Sequence, residues 1–175
     1  KMMMTPNPSS APNPNPNFDA AADPYDEKRL SRNRLMAFFT ETARSKLGAV
    51  LKRIGEVLDD DLGGKLLVFG HHKLVLEGIA SFLRRKVGSS GFMQIDGRTN
   101  SKLRHANIKR FQETPMCRVG VLSITAAGVG ITLTAANLVL FAELFWTPGA
   151  LLQAEDRAHR IGQTGTVRVE YVLSE

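Results

Sequence analysis

From residue 65 onward the chain alternates short apolar runs with stretches of helical periodicity, and that alternation constrains its fold more than any other feature. "KLLVFG" (65–70), "GFMQI" (91–95), "RVGVLS" (118–123), "NLVLFAEL" (137–144) and "TVRVEYVL" (166–173) are dense in Val, Ile, Leu and Phe, as strands are. Runs that are apolar throughout, without an in–out alternation, belong to strands covered on both faces. Between them lie stretches that read as helices, over Lys73–Lys86, Ser101–Gln112 and Thr147–Ile161. The second has Thr99 or Asn100 to cap it, and the third has Pro148 at its first position, with Gly162 as its stop. Strand–helix alternation of this kind predicts an α/β fold, a parallel sheet with helices on both faces.

The first third of the chain differs. Residues 5–17, "TPNPSSAPNPNPN", have almost nothing to bury and cannot offset the entropy of ordering, so residues 1–28 read as a disordered Pro/Asn-rich linker or insertion. Residues 29–64 read as a leading helical segment, with Leu47, Val50, Leu51, Ile54 and Leu58 near helical spacing, followed by a linker. Asp59, Asp60 and Asp61 close that segment as a solvated turn, since adjacent acids do not converge on one ion. The sheet-bearing domain then occupies residues 65–175.

The 43% hydrophobic content suits a globular domain. No apolar run is long enough for a membrane-spanning helix, and "KMMMTPNPSS" does not read as a secretory signal. The single cysteine, Cys117, allows neither an internal disulfide nor a cysteine cage for zinc and suits a reducing compartment. His71 and His72 have no partner at zinc spacing, so no metal site is expected. Residues 71–118 hold ten Lys and Arg against three acids, a basic excess confined to one segment, as expected of a chain that binds a phosphate backbone.

Three stretches can carry chemistry. In "QAEDRAHRIGQ" (153–163), helical geometry at 100° per residue puts Gln153, Asp156, Arg157 and Arg160 within about 100° of one another. Two guanidiniums on such a face can clamp phosphate oxygens, whereas Asp156 with Arg160 can equally form a plain surface ion pair. In "LSITAAGVGITLT" (122–134), Gly128 and Gly130 can bring backbone amides to a phosphate, and Ser123 and Thr125 can bond a nucleic-acid backbone; a tight strand connection explains the same glycines. In "IDGRTN" (95–100), Arg98 and Thr99 either reach phosphates or form a capped turn. No Gly-x-x-x-x-Gly-Lys-Ser/Thr loop occurs, so the chain has no phosphate cradle of that kind.

Taken together, these stretches resemble a known family. "VFGHH", "IDGRTN", "LSITAAGVGITLTAANLV" and "QAEDRAHRIGQ" are similar, in order and spacing, to the motifs of the second RecA-like lobe of Swi/Snf-like superfamily-two DNA translocases. Over "LVFGHH", "LSITAA" and "FAELFWTPGALLQAEDRAHRIGQ" the likeness is to the HARP-like and zinc-finger-bearing annealing helicases. It covers residues 33–175. The resemblance implies a RecA-like three-layer fold and a DNA-dependent ATPase whose ATP, with Mg2+, is held mainly by a first lobe absent from this chain. It implies catalytic roles for Arg157 and Arg160 as arginine fingers and for Gln153, a nucleotide border at Gly128, Gly130 and Asp156, and nucleic-acid contacts from Arg98, Thr99, Ser123 and Thr125. Implied partners are forked or duplex DNA, the first lobe and, through regions outside this chain, single-strand-binding or replication-clamp proteins; the implied compartment is the nucleus. The implied activity is reannealing or remodelling of DNA at stalled forks. A nucleosome-remodelling motor and a non-catalytic DNA-binding module are the alternatives.

Overall fold

The computed structural model describes residues 24–60, 64–127, 131–145, 147–157 and 165–173, with side chains from residue 29 onward, Ala127 excepted. In chain order the elements are α1 (Pro24–Asp59), β1 (Lys65–Gly70), α2 (Lys73–Val87), β2 (Phe92–Ile95), α3 (Ser101–Glu113), β3 (Val119–Ser123), α4 (Ile124–Ala127), β4 (Ala136–Phe141), α5 (Pro148–Glu155) and β5 (Arg168–Tyr171). The five strands form one sheet in the order β2-β3-β1-β4-β5, and every pairing is parallel. This is the RecA-like α/β arrangement.

Period-two alternation within the apolar strands builds two cores. Leu66 and Val68 of β1, Val119 and Val121 of β3, and Leu138 and Leu140 of β4 point to one face. There they meet Val50 and Ile54 of α1 and Val75, Ile79 and Leu83 of α2. Leu67 and Phe69 of β1, Met93 and Ile95 of β2, Leu122 of β3 and Val139 and Phe141 of β4 point to the other. Phe111 of α3, Ile124 of α4 and Ala154 of α5 cover them. Both faces of each central strand are thus removed from water, which is why the strands are apolar throughout.

Local chemistry sets the ends of the elements. Asn100 caps α3, its side-chain oxygen accepting from Leu103 N at 2.8 Å. α2 closes on Arg84, Arg85 and Lys86, which oppose the negative end of the helix dipole, and the chain leaves it at Gly88 with φ 71°, a conformation that glycine adopts without strain. At the end of α1, the Arg118 guanidinium donates to the carbonyls of Leu58 at 3.0 Å and Asp60 at 3.1 Å, supplying partners to orphan helix carbonyls. Arg53 of α1 forms a two-pronged pair with Glu170 of β5, at 2.8 and 2.9 Å. The Arg53 donors hold the Glu170 carboxyl below its ordinary range, against the opposing effect of partial burial.

Several boundaries differ from the sequence-based expectation. α1 begins at Pro24, inside the stretch read as irregular, while the rest of residues 1–28 lies outside the described residues up to residue 23. Residues 1–37 and 38–175 form two separate compact units; in the first, Leu30, Leu35 and Met36 are exposed, and the second contains the sheet. A short helix, α4, occupies Ile124–Ala127 within the glycine and hydroxyl stretch that follows β3, where no helix was expected. β4 ends at Phe141 rather than Leu144, and α5 at Glu155 rather than Ile161.

Phe69, Phe141 and Tyr171 stack across β1, β4 and β5 at matched register, with ring centroids 5.3 and 4.9 Å apart. Phe141→Ala removes the middle ring from a fully buried position. It is expected to lower unfolding stability by about 3–5 kcal/mol, whereas Asn100→Ala removes only a helix cap at about 1 kcal/mol. Urea unfolding of the two variants beside the parent chain measures both.

Candidate functional site

Because all strands run parallel, their C-terminal ends lie along one edge of the sheet, and the segments that follow them converge there: His71–His72 after β1, Asp96–Thr99 after β2, α4 after β3 and Ala142–Phe145 after β4. Crevices outside the carboxyl ends of an open α/β sheet are where such folds bind ligands. A cleft of about 300 Å³ opens there, lined by His71, Lys73, Gln94, Asp96, Arg98 and Ser123 among others.

Four residues expected to meet nucleic acid sit at or beside this cleft. Arg98 is exposed and reaches back to Asp96, its backbone N–H at 2.9 Å and its guanidinium at 3.2 Å from the carboxylate. Thr99 Oγ1 accepts from Asp96 N at 3.0 Å and donates to the Asp96 carboxylate at 3.2 Å. Burial pushes the Asp96 carboxyl up, but the donors on Arg98 and Thr99 outweigh it and hold the group below its ordinary value. The turn is therefore organised by an ionised Asp96, which leaves the Arg98 guanidinium largely in solvent. Ser123 is buried and shares a 2.7 Å hydrogen bond with Thr125, which is exposed at the start of α4. Thr125 is thus the more exposed of the two, and its hydroxyl is held by that of Ser123.

The β1 and β4 exits are joined by a buried carboxylate that sequence reasoning did not single out. Glu143, 3% exposed, accepts from the backbone N–H of His71 at 2.7 Å and of His72 at 2.9 Å, both on Oε2. Its Oε1 meets His72 Nδ1. Gly70 makes room for this, since a Cβ there would lie 3.1 Å from Leu76 and 3.3 Å from the Glu143 carboxylate. The His71 ring packs on Phe145 with centroids 4.9 Å apart. Burial first, and then His72, hold His71 below the ordinary histidine value against the opposing pull of Glu143, so its ring is neutral at pH 7. β4 stops at Phe141, and the bend that follows it brings Glu143 to these amides. Glu143 stood inside an apparently continuous apolar run, and a carboxylate in such a run was the available signal.

The arginine-bearing segment departs most from expectation. α5 ends at Glu155, and Asp156 and Arg157 form a turn, with Asp156 N donating to Leu152 O at 3.0 Å and Arg157 N to Ala154 O at 3.2 Å. The Arg157 guanidinium folds inward. It donates to Gln153 O at 3.1 Å, lies 3.5 Å from Ile131 O, and the residue is 8% exposed. Its own carbonyl accepts from Leu133 N at 2.8 Å. The single polar face predicted for Gln153, Asp156, Arg157 and Arg160 is therefore not formed over the described residues. Gln153 and Asp156 are exposed, and Arg157 ties the end of α5 to the segment after α4. Arg160, Gly128, Gly130 and Trp146 lie outside the described residues. Among the described residues no three His, Cys, Asp or Glu converge as metal ligands do.

Residues 49–162 match the helicase conserved C-terminal domain family. The chain belongs to that family. It is 44% identical over 151 residues to the SWI/SNF-related matrix-associated actin-dependent regulator of chromatin subfamily A-like protein 1 of Xenopus tropicalis, covering 86% of this chain and 16% of that protein. It is likewise 44% identical over 136 residues to the DNA annealing helicase and endonuclease ZRANB3 of Mus musculus, covering 78% of this chain and 12% of that protein. The chain thus spans about a sixth or less of the length of these relatives. Among solved structures it is similar to the C-terminal part of the Fun30 ATPase domain, with a TM-score of 0.67 and 31% identity over 73% of this chain and 40% of that one. The Sulfolobus solfataricus SWI2/SNF2 ATPase core, solved in complex with dsDNA, gives a TM-score of 0.60 and 32% identity, covering 74% of this chain and 26% of that one. These likenesses agree with the family and the lobe that the sequence motifs resemble.

Arg157 and Arg98 are expected to differ sharply when truncated. Arg157→Ala removes a buried guanidinium and its hydrogen bond to Gln153 O and should lower unfolding stability by about 2 kcal/mol. Arg98→Ala changes an exposed side chain and should cost less than about 0.5 kcal/mol. Denaturant midpoints of the two variants, in the absence of nucleotide and DNA, test that Arg157 has a structural share in this lobe.

Proposed function

We propose that this chain is the C-terminal motor lobe of an ATP-dependent double-stranded-DNA translocase that reanneals or remodels DNA at stalled replication forks. The observation that carries the annealing assignment is the 44% identity to a DNA annealing helicase, against 31% and 32% to the ATPase domains of Fun30 and the Sulfolobus SWI2/SNF2 core. The complex of that core with dsDNA supports duplex DNA as the track. The company of chromatin and annealing proteins supports action in the nucleus.

In this reading ATP lies between this lobe and a first lobe elsewhere in the longer polypeptide. The chain has no Gly-x-x-x-x-Gly-Lys-Ser/Thr loop, and in this reading the first lobe supplies both the phosphate cradle and the Mg2+ site. This lobe contributes positive charge where it builds up in phosphoryl transfer. Arg160 is the residue proposed to reach the γ-phosphate. Arg157, also read as an arginine finger, is engaged with Gln153 O and lies against Ile131 O, so it serves first by anchoring the segment that presents Arg160. Gln153 and Asp156, both exposed, are free to face the other lobe, with Gly128 and Gly130 bordering the nucleotide. Arg98, Thr99 and Thr125, with Ser123 beneath, track one DNA strand through backbone contacts, which position the strand without reading its sequence. Closure of the lobes on ATP and reopening after hydrolysis then move the pair along the duplex.

The isolated chain is expected to bind DNA weakly, with an affinity that falls steeply as salt rises, and to show no ATP turnover. In the full-length polypeptide, Arg160→Ala should lower kcat by about a thousandfold or more while leaving the KM for ATP within a fewfold. Steady-state ATPase assays on forked DNA measure this, and near-normal turnover by the variant would remove Arg160 from the catalytic role. If nucleosomes stimulate the wild type and forked DNA does not, the remodelling alternative replaces annealing.

A further inference from the structure

Glu143 is the one acidic residue buried among the described residues, and it is used in a particular way. Removing a carboxylate from water costs several kcal/mol, and a well-packed apolar residue is often as stabilising as a buried ionic group, so stability alone does not account for it. What the carboxylate achieves geometrically is a tie between two exits of the sheet. On one side it holds the amides of His71 and His72 and the His72 ring. His71 in turn lines the cleft shared with Arg98 and Ser123. On the other side Glu143 begins the segment that leads into α5, whose far end is pinned by Arg157 to the chain at Ile131 and Leu133. The His71–Phe145 ring contact is a second link between the same two segments. The His71–His72 turn is thus tied, through Glu143 and Phe145, to a segment only a few residues ahead of α5.

We propose that Glu143 is a positioning residue that couples occupancy of the Arg98–Ser123 cleft by DNA to the placement of α5, and so sets how strongly DNA stimulates ATP turnover. This rests on the reading that the cleft takes DNA and that the end of α5 presents the arginines. Both amides donate to the same carboxylate oxygen, Oε2. A glutamine carbonyl can accept both bonds, and its NH2 group can donate to His72 Nδ1 in the tautomer that carries its proton on Nε2. The isosteric amide should therefore preserve the tie, and alanine should break it.

The test is the ratio of ATP turnover with saturating forked DNA to turnover without it, in the full-length polypeptide. Glu143→Ala should reduce that ratio by about tenfold or more, and Glu143→Gln should keep it within about threefold of wild type. A purely structural role would lower both rates in parallel and leave the ratio unchanged; that result, or wild-type behaviour of Glu143→Ala, overturns the proposal. Should Glu143→Ala fail to fold, Phe145→Ala decides. It removes the second link while sparing the carboxylate, and it should lower the ratio by about threefold or more; an unchanged ratio overturns the coupling. Arg98→Ala, run alongside, should raise the DNA concentration needed for half-maximal stimulation. If it does not, the reading of the cleft fails and the coupling falls with it. If it does while Glu143→Ala keeps the wild-type ratio, the coupling alone fails.

Discussion

The double burial of the parallel sheet is the constraint on which the rest depends. The apolar residues of β1, β3 and β4 are buried on both faces of the sheet, so helices must cover both, and each crossover must return the chain to the same end of the sheet. Every strand then delivers its following segment to one edge. The residues that follow β1, β2, β3 and β4, scattered from His71 to Phe145 in sequence, are gathered by that single topological consequence. The cores themselves carry none of the chemistry; they provide a rigid edge on which short segments can be placed to within hydrogen-bond tolerance.

Two buried charged groups do complementary work. Glu143 draws the β1 and β4 exits together by accepting backbone amides, and Arg157 holds the end of α5 to the segment after α4 through its own carbonyl, which accepts from Leu133 N. Each sits in a nearly dry position where its hydrogen bonds are strong and its loss is costly. The exposed charges, Arg98 above all, are left to act on what binds. A lobe that must respond to both DNA and nucleotide needs this division, because a residue fully occupied in holding the frame cannot also change partners during a cycle.

Elements dominated by local pattern were legible in the sequence. The apolar run at 65–70, the amphipathic spacing of Val75, Leu76, Ile79, Ala80 and Leu83, and the Asn100 cap each declare themselves within a few residues, and the structure has β1, α2 and α3 there. The motif order pointed to the right family because four separate stretches had to agree. What could not be read were contacts made across the fold. Nothing near Arg157 says that its guanidinium will turn back onto Gln153 O and against Ile131 O, so the helical wheel was carried past the true end of α5. The pairing of Glu143 with amides more than seventy residues earlier in the chain is likewise set by β1 and β4 lying side by side, which an order of strands along the sequence does not reveal. Arg118 capping α1 is a third case, a basic residue counted toward a phosphate-binding surface that instead donates to helix carbonyls.

The most direct test of the account is ATP-dependent closure of a protein-coated DNA bubble by the full-length polypeptide, wild type beside Arg160→Ala. The account predicts that the wild type rewinds the bubble and that the variant, although it binds the same DNA, does not. A wild type that hydrolyses ATP on DNA yet leaves the bubble open, or a variant that closes it as fast as the wild type, would contradict the assignment of this lobe to an annealing motor driven by Arg160.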